Sequence, residues 1–247
     1  MVSKRLSWLC ISAALAGVLL FSASGCTKSN TTIIRMQHLE ENVKNPTTVE
    51  ELKDAIKKYQ NRAADIQLAQ SQIGVWYKIL GTRYLDTKMY GEALKAFQEA
   101  LKYYPDNQNL YYYVGVCAGY MANASLDFDA TGSSSAKYRY LKLAESAYLQ
   151  ALQIDSRYVR AMYGLGVLYV FELDENEKAI PILENLLSID TKHTDAMFVL
   201  ARAYYSTSQF DKAVKLYDTI ISLTKSDERK KEAEANKKAV LDAAYAR

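Results

Sequence analysis

The stretch Gly74 to Asn107, GVWYKILGTRYLDTKMYGEALKAFQEALKYYPDN, reads as two short helices joined by a turn. Tyr77, Leu80, Gly81 and Tyr84 fall at i, i+3, i+4 and i+7, the spacing of one helical stripe. Ala93, Phe97 and Ala100 repeat that spacing in the second half. Lys88 to Gly91 supplies the turn, and Pro105 closes the second helix because its ring cannot continue it.

Small residues on the stripes show that the two halves sit close. A glycine inside a helix costs about 1 kcal/mol relative to alanine, so Gly81 needs a packing reason. Close approach of a neighbouring backbone is the expected one. An aromatic residue, Leu, Gly and Tyr, followed by Ala, Phe, Ala and Pro at this spacing, resembles a tetratricopeptide (TPR) unit of roughly 34 residues. The one departure is Tyr77, where Trp is commonest, with Trp76 next to it.

Three more units follow the same spacing. Residues 108–158 carry Tyr111, Val114, Gly115 and Ala118, then Ala144, Tyr148 and Ala151. This unit is about 17 residues longer than the roughly 34 of the repeat, which places an inserted loop at 122–138. Residues 159–193 carry Met162, Leu165, Gly166 and Tyr169, then Ala179, Leu183 and Leu186 after one extra residue in the turn, with Pro181 expected in the first turn of the second helix. Residues 194–227 carry Met197, Leu200, Ala201 and Tyr204, then Ala213, Tyr217 and Ile220. The resemblance implies an all-α, right-handed solenoid of helix-turn-helix repeats.

Both ends of the array differ from its middle. Residues 47–73 begin with Thr47 and Thr48 as caps and Glu50 and Glu51 in the first turn, where the helix dipole favours acids. Leu52, Ala55, Ile56, Tyr59 and Ala63 give an apolar stripe, so this segment is read as the second helix of a degenerate leading repeat covering the Gly74 unit. Residues 226–247 are charged on most faces, with Ala233, Val240, Leu241, Ala244 and Tyr245 as their apolar side. That is the pattern of a capping helix, which a solenoid needs at its open end.

The first 25 residues read as a secretory signal peptide: Lys4 and Arg5, an apolar run from Leu6 to Phe21, and a small-residue exit from Ser22 to Gly25. Ala23, Ser24, Gly25 and Cys26 resemble a bacterial lipobox, with Ala23 where Leu is commoner. That resemblance implies acylation of Cys26, by chains such as palmitate, and a lipid-anchored protein of the bacterial envelope. Thr27 in place of Asp favours the outer membrane if the enterobacterial sorting rule applies. Residues 26–46 are then a polar tether.

Without Lys4 and Arg5, 29 basic residues stand against 28 acidic ones, so nucleic-acid binding has no electrostatic footprint. Cys10 leaves with the signal peptide and Cys26 carries lipid, so Cys117 stays alone in the folded part. Among Val114, Gly115, Val116 and Ala118 it reads as a small buried hydrophobe.

In TPR proteins the first helix of each repeat lines a concave groove. Carried onto this chain, the groove positions are Lys78, Thr82 and Leu85, then Tyr112, Val116 and Tyr120. They continue with Arg160, Tyr163, Val167 and Phe171, and end with Phe198, Arg202 and Tyr205. Aromatic anchors with three cations suit a peptide whose carboxylate meets Lys78, Arg160 or Arg202. The competing reading is that these rings pack against neighbouring helices. The carboxylate clamp of chaperone-binding relatives, built from Lys, Asn, Asn, Lys and Arg, maps onto Lys78, Thr82, Tyr113, Arg160 and Gly164, which does not reproduce it.

Catalysis finds little support. The two histidines, His38 in the tether and His193 at a repeat junction, are too few and too scattered for a triad or zinc set, and no phosphate-binding glycine loop occurs. Asp127, Asp129, Thr131 and Gly132 resemble the start of a calcium loop, but Tyr138 stands where a bidentate Glu is needed. No enzyme, metal or cofactor is therefore expected. The chain reads as an envelope scaffold that binds another protein or peptide, its Tyr-rich repeats looking closest to spirochaetal lipoproteins. The alternatives are a surface adhesin for host protein or glycan, and a transporter-associated partner, which would hold a closed cavity instead of an open groove.

Overall fold

Neither glycine nor proline interrupts Thr47 to Ile73, and good helix formers fill the stretch. Helix α1 accordingly runs unbroken from Val49 to Asp86 in the computed structural model, which describes residues 47–125 and 136–245. Thr48 and Glu51 open it with a capping box: the Glu51 amide donates to Thr48 Oγ1 (3.2 Å), and the Thr48 amide donates to Glu51 Oε2 (3.1 Å). The leading helix expected at 47–73 and the first helix of the Gly74 unit are therefore one continuous helix. One glycine is too weak a breaker there, because Gly74 is buried, and a Cβ on it would lie 2.6 Å from Tyr103 Cβ.

Two compact units divide the chain after Ile66. In the first, the described residues are 47–66, and the stripe of Leu52, Ile56 and Tyr59 is exposed. The signal peptide, Cys26 and the tether lie outside the described residues, as do residues 126–135 of the inserted loop expected at 122–138, whose described ends are helical at Ala122 and Asn123 and again from Ala136.

The second unit holds the repeats. The end of α1 pairs with α2 (Tyr90–Leu101), and α3 (Gln108–Asn123) with α4 (Ala136–Ile154). Helix α5 (Val159–Val167, continuing as a π-turn over Leu168–Glu172) pairs with α6 (Asn176–Ile189), and α7 (Thr194–Ser206) with α8 (Phe210–Leu223). Helix α9 (Asp227–Tyr245) follows, and no β-strand occurs among the described residues. From α2 onward each helix packs on the next, and α3, α5 and α7 also touch in series. This is an all-α solenoid of TPR repeats.

One contact type recurs through the stack. A Cβ on Gly81 would lie 2.7 Å from the Phe97 ring, one on Gly115 2.6 Å from Tyr148, and one on Gly166 2.5 Å from Leu183. Each of these three glycines thus makes room for the large side chain of the following second helix. The neighbour that Gly81 admits is a ring, not the expected backbone. The interior is shut: Phe97, Leu110, Leu165, Leu183 and Ile220 have no accessible surface.

The inter-helix turns are also alike. Lys88, Asp174 and Ser208 take positive φ (60°, 52° and 60°). The amides of Met89, Glu175 and Gln209 then donate to the carbonyls of Tyr84, Tyr169 and Tyr204 at 2.8, 2.9 and 2.8 Å. The third repeat reaches this turn one residue late. Its extra residue sits inside the helix, where the π-turn absorbs it, and not in the turn as expected. Pro181 is also displaced from expectation, lying beyond the first turn of α6. Full burial of Ala179, Leu183 and Leu186 holds α6 helical through it, against the cost of an interior proline.

Candidate peptide-binding groove

Because α3, α5 and α7 touch in series, their outward residues form one surface. Tyr112, Val116 and Tyr120 on α3 meet Tyr163 and Val167 on α5 around a depression of 340 Å³ floored by Tyr148 of α4. Five expected groove positions therefore come together. Tyr148 is held between two glycines, since a Cβ on Gly115 or on Gly164 would lie 2.6 or 2.7 Å from its ring. Gly119, on the rim, has nothing within 4 Å of an added Cβ.

A second depression of 440 Å³ joins Lys78, Thr82 and Arg83 of α1 to Asn107, Asn109 and Tyr113 at the start of α3. Asn107 caps α3, its Oδ1 accepting from the Asn109 amide at 3.0 Å. Asn109 Oδ1 accepts from the Tyr158 hydroxyl at 2.7 Å, which fixes its amide. A third depression of 310 Å³ gathers Phe171, Phe198 and Arg202 with Tyr217 of α8 and Glu232 and Asn236 of α9.

Three expected positions line none of these. Leu85 packs half-buried on the core beneath α3. The Arg160 guanidinium lies 4.3 Å from the Tyr112 ring centre and 5.4 Å from that of Tyr113, so aromatic faces already engage it. Tyr205 packs on Phe210 at 5.8 Å with Arg202 over its ring at 5.5 Å. Ring packing thus occupies part of the surface expected to be free, since Tyr112 also meets Tyr113 and Tyr158 edge-on at 5.4 and 5.9 Å. Phe171 and Tyr120 stay exposed.

Sequence reasoning missed the acids. The π-turn sends adjacent residues to different places, Glu172 to the first depression and Phe171 to the third. The extra residue in that repeat was the available signal. Glu232 comes from the capping helix, which does more than solubilise an end. Its Ala233 and Val240 are buried, Arg229 pairs with Asp195 and lies over the Phe198 ring at 5.5 Å, and Lys237 bonds Asp218 at 2.6 Å.

Other polar groups serve the fold. His193 caps α7, its Nδ1 accepting from the Ala196 amide at 3.1 Å. Burial pushes the Cys117 thiol up to about 12, which leaves it protonated and inert at neutral pH. Among the described residues no three His, Cys, Asp or Glu side chains gather as metal ligands, and no helix is long and apolar enough to cross a membrane.

Comparison with known proteins agrees with the geometry. Residues 75–107 and residues 170–237 each match a family described as tetratricopeptide repeat. A thermophilic TPR protein of Thermus thermophilus is similar at a TM-score of 0.53 and 19% identity, over 67% of this chain and 79% of that one. MamA of Desulfovibrio magneticus is similar at 0.53 and 16% identity, over 70% and 96%. YrrB, described as a TPR protein with an unusual peptide-binding site, is similar at 0.53 and 19% identity, over 81% and 97%. No curated protein matches the sequence. The chain carries TPR repeats, and the class they define binds proteins or peptides and is generally non-catalytic.

Proposed function

We propose that the chain is a membrane-anchored TPR scaffold that binds another envelope protein or peptide through its Tyr-rich groove. The supporting observation is the depression between α3 and α5, where Tyr112, Val116, Tyr120, Tyr163 and Val167 come from the groove positions of two successive repeats. An apolar recess with one carboxylate at its edge fits an aromatic or aliphatic anchor followed by a basic residue, which Glu172 would meet. Lys78 and Arg83 border the polar depression and suit an acidic residue elsewhere on the partner. The peptide-binding site of YrrB, a protein of the same fold, lends the reading further support.

Gly119→Leu tests this reading without disturbing the nested core, because the new side chain enters open space on the rim. Crosslinked capture from an envelope fraction is expected to lose its partner with Gly119→Leu and with Tyr163→Ala, both variants keeping the parent helical signal. Undiminished capture by both would remove the groove from the proposal. The anchor is tested separately: Cys26→Ser should abolish incorporation of labelled palmitate and release the protein from membranes. Protection from protease in intact cells fits a scaffold inside the envelope, whereas cleavage there would favour an adhesin.

A further inference from the structure

The first half of α1 presents an apolar line that the groove does not use. Val49, Leu52, Ile56, Tyr59, Ala63 and Ile66 follow one another at alternating intervals of three and four residues, which is the a and d spacing of a heptad. In the sequence the same spacing continues at Gln70 and Ile73, giving more than three heptads, the length at which such a pattern signals a coiled coil. Val49, Leu52, Ile56 and Ile66 are 60%, 46%, 55% and 55% exposed. An amphipathic helix draws most of its stability from burying its apolar face. A seam this well kept therefore calls for a cover.

We propose that a second copy of this chain covers it, the two α1 helices pairing in parallel as a coiled coil. Three observations favour this occupant over a membrane surface or an unrelated partner. Between Val49 and Ile66 the large apolar side chains fall only at a and d, a stripe narrower than the broad face that membrane-surface helices and globular cores use. From Val49 to Ile66, Glu50, Glu51, Asp54 and Asp65 balance Lys53, Lys57, Lys58 and Arg62, so the segment lacks the basic excess that anionic lipid attracts.

The third observation is the flanking charge. In a parallel pair the e and g positions place Ala55 beside Gln60 and Arg62 beside Gln67 of the other copy, so no like charges meet. A fully overlapped antiparallel pair would centre near Asn61 and bring the two Arg62 side chains together. β-branched Val49 and Ile56 at a, with Leu52 at d, favour two strands in the first heptads, Ile66 and Ile73 at d do not add to that preference, and polar Gln70 at a would fix the register.

The test is sedimentation of the full chain in nonionic detergent, corrected for bound detergent. The protein is expected at twice the mass of a single processed chain. Ile56→Glu with Ile66→Glu should reduce it to single-chain mass with the helical signal unchanged, since both positions are exposed in the single chain. Ile56→Cys should form an interchain disulfide on mild oxidation, which a parallel pair brings together. A single-chain mass for the unaltered protein overturns the proposal, as does a dimer that survives the double substitution. A dimer in which Ile56→Cys fails to crosslink overturns the parallel pairing. Groove capture is a separate reading, so either proposal can fail alone.

Discussion

Two faces of α3 lie a few ångströms apart and obey different rules. Gly115 faces α4, where the Tyr148 ring fills the space that a Cβ would need. Gly119, one turn later, faces open space above the groove. The nesting face repeats its solution from unit to unit, Gly81 with Phe97, Gly115 with Tyr148 and Gly166 with Leu183. The groove face has no such constancy: polar at Lys78, Thr82 and Asn109, aromatic at Tyr112 and Tyr163, mixed at Phe198 and Glu232. Stacking holds the first face to one solution in three repeats, while nothing in the stack holds the second to a single composition.

The sharpest break in that contrast is a pair of glycine substitutions. Gly115→Leu must displace the 6%-exposed Tyr148 ring; overpacking of this kind costs about 3 kcal/mol, to be read as a lower urea midpoint. Gly119→Ala adds a methyl group to open space and should stabilise by about 0.5 to 1 kcal/mol through helix propensity. Equal effects from the two would show that the faces do not differ as described.

That regularity is also why so much of the fold was legible. A glycine four residues after an aromatic or Met on the packing stripe, followed by a large side chain in the next helix, marks a nested hairpin wherever it recurs. The rest was hidden for definite reasons. The positive-φ turn residues are Lys88, Asp174 and Ser208, none of them glycine, so composition does not reveal them. Helix α1 continues through Gly74 because burial against Tyr103 outweighs a weak breaker. Among the groove positions, side-chain direction was readable but not company. Arg160 lies over the rings of Tyr112 and Tyr113, and those partners come from another repeat. Glu172 and Glu232 were missed because a π-turn and a capping helix deliver them, and neither belongs to the repeat pattern.

Hydrogen bonds between repeats offer a smaller test. The Tyr169 hydroxyl donates to Glu145 at 2.9 Å, and that of Tyr204 donates to Glu184. Burial pushes the Glu145 carboxyl up, but its bonds from Lys142 and Tyr169 prevail and hold it below the usual range. Tyr169→Phe removes one of those bonds and should cost about 1.5 kcal/mol without altering groove capture. A loss of capture would mean that the stack and the groove are coupled.

The last test is alkaline titration, which reads the stack without a substitution. Burial pushes the phenols of Tyr148, Tyr169 and Tyr204 above their ordinary range, and the bonds to Glu145 and Glu184 add to the effect for the latter two. A raised value means that the folded chain holds its proton more tightly than the unfolded chain does. The unfolded phenols release theirs from about pH 10, so on their account the folded state loses relative stability as pH rises beyond that point and not below it. Urea midpoints should begin to dip near pH 9, where the unfolded Cys117 thiol ionises while the buried one does not, and fall more steeply beyond about pH 10, with Tyr169→Phe and Tyr204→Phe flattening that steeper decline. A decline untouched by both would assign the alkaline loss to other groups, leaving the tyrosine pins as geometry without a share in the titration.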